Sequence, residues 1–167
     1  FVINSFSKYF NMTGWRLGWM VAPQWAVPQL DKLAQNLFLA APTPGQYAAL
    51  AAFQPESLAV LEARRVEFAK RRDYLLPALK TLGFDIPAQP EGAFYIFWNI
   101  VNICGAQNCD SMKFCLDLLE EQGVAITPGI DFGDQNANQY VRFAYTTDVA
   151  RLTEAVARIQ EFIKKFR

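Results

Sequence analysis

Residues 4–19, NSFSKYFNMTGWRLGW, set an amine and a guanidinium among hydroxyls: Ser5 and Lys8, then Arg16 eight residues after the lysine, between Gly14 and Gly18. A protonated amine has no free lone pair. A neighbouring cation or loss of water favours the neutral amine, which can add to an aldehyde. A guanidinium fork matches a phosphate dianion, and serine hydroxyls can donate to its remaining oxygens. Ser5, Lys8 and Arg16 can therefore hold a phosphorylated aldehyde, the amine taking the carbonyl and the others the phosphate. The plain alternative is a surface lysine and an arginine with a structural partner.

A second candidate is Arg142, in the mainly apolar stretch 139–146. An unpaired guanidinium is costly to bury, so Arg142 needs an anion, either a protein carboxylate or a ligand. Other chemistries are poorly supplied. The chain has no histidine, which removes Ser-His and Cys-His nucleophile systems and the commonest near-neutral base. Cys104, Cys109 and Cys115 cannot all pair with one another and lack zinc-site spacing, so they read as reduced thiols of a cytoplasmic protein. Asp131 and Asp134 lie in an Asn-rich loop and read as solvated, so no metal is expected. Gly14 and Gly18 do not make a dinucleotide fingerprint.

These side chains need a scaffold, and the composition provides one. At 52% hydrophobic and 14% aromatic over 167 residues, the chain can bury a substantial core. Sixteen Lys plus Arg against sixteen Asp plus Glu leave no field to attract nucleic acid, and the cations at 64–72 alternate with Glu62, Glu67 and Asp73 as on a salt-bridged helix. No apolar run approaches the ~20 residues of a membrane span.

FVINSFSK opens like a strand, and 15–22 reads as another, with close backbone approach at Gly18. Helices are expected over 24–40, over 44–53 with Thr43 as cap and Gln46 completing a capping box, and over 55–82 with a possible kink at Pro77. Gly92–Ile100 is a strand by its aromatic and β-branched density. Asp110 caps a helix over 111–122 with Met112, Cys115, Leu116 and Leu119 on its buried stripe. Short strands at 124–127 and 139–146 flank a turn-rich loop in which Gly129 permits a tight turn. A closing helix runs over 148–166. Tyr9, Phe10, Trp15 and Trp19 read as core aromatics, and Tyr95 as packing. Alternating strands and helices give an α/β or α+β fold.

The segment NSFSKYFNMTGWRLGWMVAP resembles the cofactor-lysine segment of the class I/II aminotransferases, fold type I enzymes that use pyridoxal 5'-phosphate (PLP). PTPGQYAALAAF, RRDYLLPAL, EGAFYIF, the Pro128-Gly129 turn and YVRFAYT follow in the family's order. The resemblance implies an α/β fold type I transferase and assigns Lys8 as the residue forming the Schiff base with PLP and moving the substrate proton. It assigns Ser5 and Arg16 to the phosphate, Ser7 to the phosphate or a local hydrogen bond, and Arg142 to the substrate α-carboxylate. The implied reaction moves an amino group from an α-amino acid to a 2-oxo acid. Another fold type I reaction, such as β-elimination, or a regulator built on the same domain are the alternatives.

In this family the phosphate loop, the ring-stacking aromatic and the aspartate on the pyridine nitrogen precede the lysine, and only seven residues do so here. The sequence therefore reads as the C-terminal portion of a longer protein, inactive or nearly so by itself. Residues 1–75 are expected to be the end of the large PLP-binding domain with the connecting helix, and 76–167 the small domain. The resemblance also implies a homodimer. Phe1, Val2, Trp15 and Trp19 are expected to contribute to any apolar surface left bare in this chain.

Overall fold

A computed structural model describes residues 1–166. The chain divides into two compact units, Phe1–Val66 and Glu67–Arg167. In the first, β1 (Val2–Ser5) pairs antiparallel with β2 (Gly18–Val21), Ser5 lying opposite Gly18. A Cβ at position 18 would lie 2.8 Å from the Asn4 carbonyl oxygen, so this close approach requires glycine. Next come α1 (Val27–Leu37), α2 (Thr43–Ala52) and the start of α3 (Pro55–Thr81). Phe6, Met12, Leu17 and Ala49 form this unit's buried cluster.

Thr43 is not the cap of α2. Pro42 holds that position without a side-chain cap bond, and Gln46 Nε2 donates to the Ala41 carbonyl at 2.8 Å instead. Pro42 also explains the change: its fixed φ directs the chain into the helix one residue earlier than a threonine cap would. Both strands of the β1–β2 pair are exposed along their whole length. Trp15, in the turn before β2, and Trp19, within it, are 47% and 39% exposed, so they contribute to the bare apolar surface and are not the core residues expected. Phe10 does pack, against Phe6 and Phe53.

The second unit is built on an antiparallel sheet ordered β3 (Tyr95–Asn99), β5 (Tyr140–Ala144), β4 (Thr127–Pro128). Between β3 and β4 the chain forms the single turn α4 (Val101–Cys104) and the helix α5 (Ser111–Gln122); α6 (Val149–Ile163) follows β5. Pro128 cannot donate to a ladder and lies, accordingly, on an edge strand. The sheet obeys the period of two. Ile96, Trp98, Val141 and Phe143 point into the core, while Tyr95, Phe97, Tyr140 and Arg142 share the opposite face.

That core takes Leu75, Leu76 and Leu79 from α3, Phe114 and Leu118 from α5, and Leu152, Ile159, Phe162 and Ile163 from α6. Asp110 and Asp148 cap α5 and α6, accepting from the backbone N–H groups of Lys113 and Arg151 at 2.9 Å. Helix α3 continues through Pro77, which is exposed. The buried stripe of α5 is not the expected one. Ser111, Phe114, Cys115 and Leu118 are buried, whereas Met112, Leu116 and Leu119 face outward. Phe114 and Leu118 stand one turn apart, and their larger combined payload fixes the helix's rotation.

Strand β3 begins three residues later than the sequence suggests. The buried Tyr145 hydroxyl donates to the carbonyls of Ala93 (3.0 Å) and Gly92 (3.3 Å), and Ala93 adopts a positive φ of 57°. This tether turns the chain just before Tyr95.

Candidate active site

The segment from Phe6 to Leu17 is a loop closed by its own backbone. Phe6 N–H donates to Leu17 O at 3.1 Å, Met12 N–H to Phe6 O at 3.0 Å, and Asn11 N–H to Lys8 O at 3.0 Å. The Thr13 hydroxyl donates to Ser7 O at 2.6 Å, and Ser5 Oγ accepts from Ser7 N–H at 3.0 Å. Ser7 thus has a local hydrogen-bonding role in this chain. Phe6, Met12 and Leu17 anchor the loop in the core, leaving Ser5, Lys8 and Arg16 on its exposed side.

Tyr9 fixes the residue next to the lysine. Its hydroxyl donates to Glu62 Oε1 on α3 at 2.6 Å, and Arg65 pairs with the same carboxylate at 2.7 Å. The hydrogen bonds from Tyr9 and then Arg65 hold the Glu62 carboxyl below its ordinary range, and the bond to Glu62 raises the Tyr9 phenol. Tyr9 is 42% exposed, so its role is a polar tether and not the core packing expected of it.

Arg16 has left-handed backbone angles, φ 53° and ψ 49°, at the end of the short 3-10 turn Thr13–Trp15. For a non-glycine residue this costs on the order of 1 kcal/mol, so the surrounding hydrogen bonds must enforce it. Its Nη1 donates to Thr13 O at 2.9 Å. Among the described residues Arg16 makes no ion pair, and residues 5–16 contain no Asp or Glu. Because Ser5 pairs with Gly18 and Phe6 with Leu17, the serine and arginine ends of the loop are neighbours along one ladder. A hydroxyl, an amine and an arginine without a competing carboxylate fit a phosphorylated aldehyde.

Arg142 belongs to the second unit and has different surroundings. It lies opposite Phe97 on one side and Thr127 on the other. Its guanidinium carbon is 4.1 Å from the centroid of the Tyr95 ring and 4.4 Å from that of Phe132. Nη2 donates to Thr127 Oγ1 over a long 3.4 Å, and the buried Nε has no partner. No described carboxylate pairs with it. A guanidinium held against two rings, with no carboxylate partner among the described residues, is equipped to bind a planar anion through its terminal nitrogens.

Sequence reasoning missed Phe132 and assigned Tyr95 only to packing. Phe132 ends the 3-10 turn Gly129–Phe132. A Cβ at Gly129 would come 2.5 Å from the Tyr140 carbonyl and closer still to that of Ala137, so glycine alone lets this turn sit on β5. The signal for Phe132 was its position three residues after that glycine, which becomes informative only once the turn is known to lie against Arg142's strand.

The sequence matches the family "Aminotransferase class I and II" over residues 1–159. The chain belongs to this family. It is 40% identical over 98% of its length to a (5-formylfuran-3-yl)methyl phosphate transaminase of Methanocaldococcus jannaschii, spanning 42% of that protein. It is 38% identical over 97% of its length to a valine–pyruvate aminotransferase of Mycobacterium tuberculosis, spanning 41% of it. An aminotransferase crystal structure from M. tuberculosis superposes with a TM-score of 0.92 at 37% identity, over 98% of this chain and 41% of the other. An aromatic aminotransferase from Pyrococcus horikoshii gives 0.87 at 36% identity, over 98% and 42%. The chain thus spans about two fifths of the length of these relatives. The fold is that of the fold type I PLP transferases, and PLP is the family's cofactor. Among the described residues no cluster of potential metal ligands occurs, and no helix is long and apolar enough to cross a membrane.

Proposed function

We propose that the whole protein transfers an amino group from an α-amino acid to a 2-oxo acid, with PLP held through Lys8. The observation carrying this reading is the hydrogen-bonded loop that presents Ser5, Lys8 and Arg16 in an acid-free segment. Bound there, PLP supplies the electron sink for loss of the substrate's α proton. Arg16 and Ser5 take the phosphate, with Ser7 shaping the turn beside them. Lys8 Nζ would hold the aldehyde end of the cofactor and would serve as the base at the substrate's α carbon. Arg142 takes the α-carboxylate, supported by the lack of a carboxylate partner among the described residues and by the two rings that hold its guanidinium without using its terminal N–H groups. No histidine is needed, because one amine serves as anchor and as proton carrier.

On this reading residues 1–75 complete a large domain and residues 76–167 form most of a small one. Contact density divides the chain at Val66/Glu67, within the same helix α3. The working enzyme is a cytoplasmic homodimer. The unpaired thiols support that compartment, and the uncovered β1–β2 pair supports contacts beyond this chain.

The test uses the full-length protein with PLP. Borohydride reduction followed by mass mapping should place the cofactor adduct on Lys8, and an adduct on another lysine overturns the assignment. Supplying an amino acid and a 2-oxo acid should then yield the exchanged pair without ammonia. Release of ammonia would identify elimination instead.

A further inference from the structure

One face of the β3–β5–β4 sheet carries an aromatic series in addition to Arg142. Phe97 stacks on Tyr140 at 5.2 Å between centroids and 9° between planes, and meets the Phe132 ring edge-on at 6.0 Å. The Arg142 guanidinium lies over both the Phe132 and the Tyr95 ring. The two rings have very different support. Tyr95 is part of β3 and is packed against Phe94 at 4.3 Å. Phe132 comes from a loop, is 48% exposed, and reaches the sheet only because Gly129 lets the turn close on Tyr140.

An arginine side chain has several rotatable bonds, and conventional fixing by a carboxylate would use up the donors that a ligand needs. Aromatic faces avoid that conflict. They hold the guanidinium plane by cation–π attraction and stacking while leaving its N–H edges available. Arg142 has that arrangement, with one long bond to Thr127 as its only described protein hydrogen bond and no carboxylate partner among the described residues.

We infer that Phe132 is a positioning residue for carboxylate recognition: its ring, with that of the strand-borne Tyr95, lies against the Arg142 guanidinium and sets the orientation in which the guanidinium meets its anion. This rests on the reading of Arg142 as the carboxylate site. Phe97 acts one step further out by bracing the edge of Phe132. Specificity for a planar anion then depends on a loop residue as well as on the arginine.

The experiment measures calorimetric binding of 3-phenylpropanoate, a monocarboxylate without an amino group, to the full-length PLP-loaded protein. It compares the parent with Phe132→Leu, Phe132→Tyr, Arg142→Gln and the Leu/Gln double variant. Losing one cation–π face should weaken binding about 5- to 20-fold in Phe132→Leu. Phe132→Tyr, which keeps the ring, should restore affinity to within about 2-fold of the parent. In the Arg142→Gln background the leucine change should have no further effect, since no guanidinium remains to be oriented. Steady-state kinetics of Phe132→Leu should show a larger rise in KM for the amino acid than fall in kcat. If Arg142→Gln binds like the parent, the carboxylate assignment itself fails. If Arg142→Gln loses binding while Phe132→Leu retains it, or if the leucine penalty persists in the double variant, only the positioning role is overturned. Phe132 is half exposed, so the leucine variant removes little core; matching circular dichroism and thermal midpoints identify a folded protein.

Discussion

Arg16 and Arg142 are the same residue type held in two opposite ways. Arg16 is placed by backbone: left-handed dihedral angles, one bond to Thr13 O and a loop closed by its own peptide groups. Arg142 sits in ordinary strand geometry and is placed by side chains, with Tyr95 and Phe132 on its plane and Thr127 at one nitrogen. Neither is neutralised by a described carboxylate. A cation kept for a ligand therefore needs a fixing device that is not an anion, and this protein uses two. Backbone fixing tolerates an exposed site over a small cluster, whereas ring fixing needs a sheet with a buried reverse face, which Ile96, Trp98, Val141 and Phe143 provide.

The comparison predicts that the two regions respond differently to substitution. The largest effect belongs to Lys8, for which no other group in the loop can substitute. Lys8→Ala in the full-length protein should lower kcat/KM at least about 1,000-fold, since both covalent attachment and proton transfer are lost. Its thermal midpoint without PLP should stay close to that of the parent, because the side chain is exposed. Turnover retained within a factor of ten, measured by product formation, would remove Lys8 from the mechanism.

Arg142→Gln is next. Removing a charge-assisted, two-pronged contact costs about 3 kcal/mol, or roughly a 100-fold rise in KM for the amino acid. The direct contrast is Arg16→Gly. Glycine accepts left-handed angles, so this change should raise the unfolding free energy of PLP-free protein by about 0.5–1 kcal/mol while weakening PLP binding about 10-fold or more. Denaturant unfolding and a PLP titration measure the two quantities separately. Unchanged stability would mean that Arg16's backbone is not strained; unchanged PLP affinity would mean that its guanidinium is not a phosphate ligand.

What was legible in the sequence follows the same division. The Lys8 loop was legible as a candidate because its signals are local: Ser5, Lys8, Arg16 and Gly18 lie within fourteen residues, and the close approach at Gly18, which the structure has, carries a sequence signature. Periodicity located the strands of Arg142's sheet and the helices around it, and Asp110 was a readable cap. The ring pair around Arg142 was not legible, since Phe132, Tyr95 and Arg142 come from three separate segments joined by β3–β5 register. The rotation of α5 was misread for a related reason. Met112, Leu116 and Leu119 form as good an apolar stripe as Phe114 and Leu118, and only the facing core decides between them. Exposure of Trp15 and Trp19 was hidden because composition cannot say whether a strand face will be covered.

The smallest effect tests whether the two units open independently. All three cysteines lie in the second unit, so thiol alkylation reports on that unit. Burial pushes Cys104 and Cys115 up to about 12 and also raises Cys109. A thiol whose native pKa exceeds its unfolded value of about 8.5 stabilises the fold fully below that pH. That contribution is lost as pH rises from about 8.5 through the native value near 12, because the unfolded chain releases its protons first. Iodoacetamide labelling at pH 8 should therefore modify Cys109 fastest and leave buried Cys115 dependent on opening of the core. Arg16→Gly should leave the Cys115 rate unchanged within about 2-fold if the first unit's strain is stored locally. A slowing of Cys115 labelling as large as the gain in global stability would show instead that α3, which belongs to both units, joins them into one cooperative structure. In that event the backbone fixing of Arg16 and the ring fixing of Arg142 would be two ends of one folding unit, and substitutions at either would have to be read through both.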